Sequence, residues 1–83
     1  MRIQVEITEQ EDARFTLTRA ETLVFFDFLV RFDQDGRPDI RDLSEQLLFW
    51  HLLSALKRTW PEELTPDYPR KVAAARETVR NSA

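Results

Sequence analysis

A chain of 83 residues with no cysteine and one histidine cannot hold a disulfide, a thiolate metal site or, within one protomer, a histidine metal cluster. Its 42 % apolar and 11 % aromatic content is enough for a core in spite of 33 % charged residues, which excludes a disordered chain. The net charge of −3 supplies no general pull toward nucleic acid or anionic lipid.

One small domain spanning residues 1–83 is expected, near the lower limit of size for folding without staples. Met1-Arg2 leads into an alternating segment and not into the continuous apolar run of a signal peptide. The most apolar run, Leu23 to Val30, is broken by Asp27 and is too short to span a bilayer. The corresponding expectation is a soluble cytoplasmic protein with no membrane contact.

In chain order, Ile3, Val5 and Ile7 alternate with Gln4 and Glu6, the pattern of a half-buried strand. Phe15 and Leu17 begin a second alternation, which predicts a β-hairpin. The connection Glu9–Asp12 has no glycine or asparagine to set a tight primed turn, so a longer loop is expected. Thr18 and Glu21 have the spacing of a capping box, in which hydroxyl and carboxylate each accept from the other residue's backbone N–H. Helix 1 then runs to about Phe32, with Val24, Phe25, Phe28, Leu29 and Phe32 on its main face and Leu23, Phe26 and Val30 on a second. Asp27 and Arg31, four apart, are expected as an exposed pair on its wet side.

The loop Asp33–Pro38 contains the only glycine, and Asp42 with Glu45 repeats the capping-box spacing. Helix 2 spans Asp42 to Trp60 and stops before Pro61. It is apolar on more than one side: Leu48, Phe49, Leu52, Leu53, Ala55 and Leu56 form one face, while Leu43, Leu47 and Trp50 fall opposite. A helix apolar nearly all round is normally buried on most sides, so helix 2 is expected at the centre of the fold. After the connector Pro61–Pro66, Asp67 or Tyr68 caps helix 3, whose narrow stripe is Tyr68, Val72, Ala75 and Val79. The order β-β-α-α-α predicts an α+β fold. Helices 1 and 2 lie antiparallel on one face of the N-terminal hairpin, and helix 3 closes an edge. A two-stranded sheet is marginal alone, and in a dimer it would extend across protomers.

The chemistry-bearing residues do not assemble into a catalytic set. In Asp33–Glu45 a calcium-loop register around Gly36 puts Arg31 where the first acidic ligand belongs, so a solvated turn and helix cap is the simpler reading. His51 has Leu47 and Ala55 at its i±4 positions, with no acid to orient it. One glycine cannot build a phosphate loop. No enzyme, no cofactor and no metal site are expected, and no small-molecule substrate is evident.

The runs TLVFFDFLVRF, SEQLLFWHLLSALKRTWPE and PDYPRKVAAARETV, within residues 15–80, resemble a group of small bacterial proteins of unknown function. The resemblance implies a small bacterial α+β domain. Its residues are packing residues, so it implies no activity.

Two functional expectations remain. The first is a non-enzymatic protein-binding module, a homodimer or a small inhibitor, immunity-type protein or adaptor. Leu43, Leu47, Trp50, His51 and Ser54 form its partner face, because a tryptophan-containing apolar patch left over from the core marks an interface. The acidic loop Glu9, Glu11 and Asp12 would suit a basic partner. The alternative is a nucleic-acid-associated regulator using Arg70, Lys71, Arg76 and Arg80 on helix 3. Against it stands the ordinary preference of helix C-termini for cations.

Overall fold

The computed structural model describes residues 3–37, 39–59 and 65–82. Strands β1 (Gln4–Ile7) and β2 (Ala13–Thr16) form an antiparallel hairpin, followed by helices α1 (Arg19–Gln34), α2 (Leu43–Thr59) and α3 (Tyr68–Ser82). The β-β-α-α-α order is the one expected. Trp60 and the start of the following connector lie outside the described residues.

Val5 pairs with Phe15 and Ile7 with Ala13, while Gln4 faces Thr16 and Glu6 faces Arg14. Residues directly opposite share a face, so one side of the hairpin is apolar and the other polar. The loop is the longer kind expected: the Thr8 N–H donates to the Asp12 carbonyl at 2.9 Å, and the Glu11 N–H to the Thr8 carbonyl at 2.9 Å. Glu11 takes the left-handed conformation (φ 65°) that a hairpin loop needs when it lacks glycine.

Thr18 caps α1 with the predicted box: the Glu21 N–H donates to Thr18 Oγ1 at 3.2 Å, and the Thr18 N–H to Glu21 Oε1 at 2.8 Å. The helix ends where the only glycine stands. The Arg37 N–H reaches the Phe32 carbonyl and the Gly36 N–H the Asp33 carbonyl, at 2.9 and 3.2 Å, with Gly36 at φ 84°. This is a Schellman motif, and its left-handed position is one that favours glycine. At the start of α2 the Asp42 carboxylate accepts from the Ser44 N–H at 2.8 Å. Glu45 reaches back to the Arg41 N–H at 3.1 Å, one residue further than the expected box.

Helix α1, and not α2, is the centre of the fold. It packs against α3, touches α2 and meets the hairpin. Leu23 packs with Val72 and Ala75 of α3, joined by Ala20, Val24 and Tyr68. Phe26 and Leu29 pack with Leu53 of α2, joined by Val30, Phe49, Leu56 and Tyr68. Phe26, only 1 % exposed, receives the Tyr68 ring edge-on at 6.4 Å, so Tyr68 joins the two clusters. In α2, Leu53 is the one core residue among those described, and Leu48 is 72 % exposed. The expectation of a central α2 fails for a physical reason. Both runs are apolar nearly all round, but α1 has neighbours on three sides, whereas α2 has one principal neighbour. The predicted role of α3 at a hairpin edge is likewise replaced by its packing on α1.

Candidate functional site

The structure departs furthest from expectation at Asp27. Expected on the wet side of α1, it is buried at the α1–α3 interface. Arg31 one turn on donates from Nε to Oδ2 at 3.0 Å, as the spacing predicts. Two further donors come from α3: Tyr68 Oη to Oδ1 at 2.9 Å and Arg76 Nη2 to Oδ2 at 2.8 Å. Tyr68 and Arg76 are eight residues apart on the face of α3 that also carries Val72, so one helix face delivers both to one carboxylate. Burial raises the Asp27 pKa, but hydrogen bonds from Tyr68 and Arg31 and the charges of Arg31 and Arg76 outweigh it. The net effect holds the carboxyl below its ordinary value. A carboxylate so saturated with donors is a tie between helices and not a poised general base. The sequence signal was available: one acid inside an otherwise apolar helix run is a candidate for a buried, partnered charge.

Arg76 therefore leaves the predicted basic cluster. Of the remaining three, Arg70 sits 3.5 Å from Asp67, Lys71 is half-buried, and Arg80 is exposed near the end of α3. Glu9, Glu11 and Asp12 are all exposed at the hairpin tip. Asp33, a ligand position in the calcium-loop register, is tied to Arg37 at 3.4 Å. Asp42 caps α2, and its pKa is lowered by hydrogen bonds from the Ser44 hydroxyl and N–H. Among the described residues no group of three histidine, aspartate or glutamate side chains is placed to hold a metal ion.

Leu43, Leu47, Trp50, His51 and Ser54 all lie exposed along α2. The Arg37 guanidinium covers part of the Trp50 ring, 5.0 Å from its centroid, and the rest of this strip is open.

A second apolar surface lies along α1: Phe25 and Phe28, expected on the main packing face of the helix, are exposed, and Leu23 and Phe26 of the second face are buried instead. Between the hairpin and the helices runs an open groove of about 1060 Å³. Ile3, Phe15 and Leu17 form its hairpin wall, and Phe25, Phe28 and Leu52 are prominent on the helical side. Glu21 and Arg31 are the ionisable groups among its lining residues. Phe15 is 66 % exposed, and Val5 and Ile7 on the same hairpin face are 53 % and 62 % exposed. The sequence did carry a hint, because Phe25 and Phe28 project from α1 opposite Leu23 and Asp27. A helix with two apolar faces needs two covers, and α3 with Leu53 of α2 covers Leu23, Phe26 and Leu29 but leaves Phe25 and Phe28 exposed.

No protein-family model, curated protein or solved structure matches the chain. The resemblance across residues 15–80 accordingly lends no support to any activity. Among the described residues no helix is long and apolar enough to cross a membrane.

Proposed function

We propose that this chain is a non-enzymatic, cytoplasmic protein-binding module that acts by covering apolar surface against another polypeptide. A small inhibitor, immunity-type protein or adaptor works in this manner. One observation carries the reading: the apolar groove between hairpin and helices, with Phe15, Phe25 and Phe28 standing open in its walls. Contiguous apolar patches of this kind on soluble proteins usually mark interaction sites, and aromatic side chains dominate the energetics of such contacts. The exposed strip Leu43, Leu47 and Trp50 on α2 adds a second stretch of the same character. The charge pattern favours this reading over nucleic-acid binding, since Arg76 is tied to Asp27 at the α1–α3 interface and Arg70 lies beside Asp67.

The test is association, read two ways: sedimentation of the purified chain alone, and retention of the tagged chain on proteins from its native cells. Phe28→Asp and the pair Leu47→Ser with Trp50→Ser are made in parallel, with circular dichroism as the fold control. Association that at least one of these changes weakens tenfold or more, about 1.4 kcal/mol, supports the reading. A chain that associates with nothing, itself included, while keeping its fold overturns it.

A further inference from the structure

We propose that the occupant of the groove is a second copy of this chain, docked about a two-fold axis so that each hairpin lies in the other's groove. The inference rests on the protein-binding reading above and names its partner.

Three observations point to self-association. The first is surface. The chain exposes 6557 Å², against about 5,200 Å² expected for a folded monomer of its 9.9 kDa mass. Its radius of gyration is 14.1 Å, against about 12 Å for a compact chain of this length. The excess, on the order of 1,000 Å², is what one partner contributes to a stable interface, about 800 Å². Among the exposed apolar residues are Val5, Ile7 and Phe15 on the hairpin and Phe28 in the groove.

The second observation is that both halves of a contact are on one chain. Val5 and Ile7 share the hairpin face with Phe15 but lie outside the groove lining, and so form an uncovered apolar ridge. Phe25, Phe28 and Leu52 form an unfilled apolar wall. In an isologous dimer the ridge of each copy meets the wall of the other, and both are covered by one symmetry operation. The hairpin gains most, because two strands with an open apolar face are marginal by themselves.

The third observation is charge. The ionisable groups in the lining, Glu21 and Arg31, are one acid and one base, so no field of one sign opposes an uncharged ridge. The groove holds no cluster of charge that would select a strongly charged partner.

The deciding experiment is sedimentation of the full chain up to about 100 µM, where a micromolar complex is nearly complete. Wild type is expected at twice the protomer mass. Val5→Lys on the ridge and Phe28→Asp on the wall are each expected at the protomer mass with the wild-type helical signal. Leu52→Asp replaces Phe28→Asp if that signal is lost. Mixing the two variants regenerates the dimer mass, because the heterodimer has one wild-type contact and one Lys–Asp contact. Each variant alone has two damaged contacts. A wild-type chain that remains a monomer overturns the inference. A dimer that survives both substitutions, or variants that do not recombine on mixing, also overturns it. If the monomeric wild type still retains a cellular protein that Phe28→Asp releases, self-pairing fails and the protein-binding reading stands.

Discussion

On its α3 side, α1 buries Leu23, Phe26 and Asp27 against Tyr68, Val72, Ala75 and Arg76. No buried side-chain polar atom among the described residues lacks a partner. On its hairpin side the same helix presents Phe25 and Phe28 to an open groove, and the strands opposite keep their apolar residues exposed. The two sides are alike in composition and differ in completion. Apolar content alone therefore does not tell a covered face from an open one; what separates them is whether the chain supplies the covering element. The α3 side holds a completed part of the core, and the hairpin side keeps apolar surface exposed.

The largest expected effect lies on the completed side. Phe26→Ala removes the most deeply buried aromatic side chain among the described residues and the ring that Tyr68 packs against, and should cost about 3–5 kcal/mol in urea unfolding. A loss below about 1 kcal/mol would show that α1 is not anchored through this ring.

Next comes the charged tie. Asp27→Asn keeps the shape but gives up the charge that holds Arg31 and Arg76, and should cost about 2–3 kcal/mol near neutral pH. The pH dependence has a definite sign. Folding lowers the Asp27 pKa below 3.8, so the native state binds this proton less tightly than the unfolded chain. The stabilisation is complete above the unfolded value and is lost as pH falls through the folded one. The stability gap between wild type and Asp27→Asn should therefore be constant above about pH 5 and shrink below about pH 4. A gap that stays constant to the acid limit would mean the carboxylate gains nothing from folding.

A smaller effect is expected at the N-terminus of α1, which serves both sides equally. Thr18→Ala removes the acceptor for the Glu21 N–H and should cost about 1 kcal/mol. Glu21→Gln, which can still accept from the Thr18 N–H, should cost less. Equal losses in urea titrations of the two variants would point to the carboxylate charge at the helix N-terminus as the main contribution.

What the sequence made legible is what short range decides. The strand of Ile3, Val5 and Ile7, though not its expected half-burial, the Thr18–Glu21 box, the Gly36 stop and the stripe of α3 are each set by residues within a few positions of one another. The place of Asp27 was not legible, because its partners Tyr68 and Arg76 lie 41 and 49 residues away. The choice between α1 and α2 as the central helix failed similarly. Periodicity shows that a helix has several apolar faces, but the number of neighbours is a tertiary fact. The candidate site was half legible: the pattern leaves Leu47 and Trp50 outside the core, as the structure has them, while the groove depends on where the hairpin lies against the helices.

The smallest effect on the monomer is the most discriminating one. Phe15 and Leu48 are both exposed, so at nanomolar concentration Phe15→Ser and Leu48→Ser should each lie within about 0.5 kcal/mol of wild type. Raising the concentration separates them, because a partner that binds only the folded chain stabilises it by mass action. Phe15 lines the groove and Leu48 does not. Wild type and Leu48→Ser should therefore gain thermal stability with concentration, while Phe15→Ser should gain little. If all three melt at temperatures independent of concentration, the open side of α1 is not covered by this chain itself. If Leu48→Ser loses the gain and Phe15→Ser keeps it, the covering runs along α2 and not through the groove. The position of the effect, more than its size, then locates the surface that completes the fold.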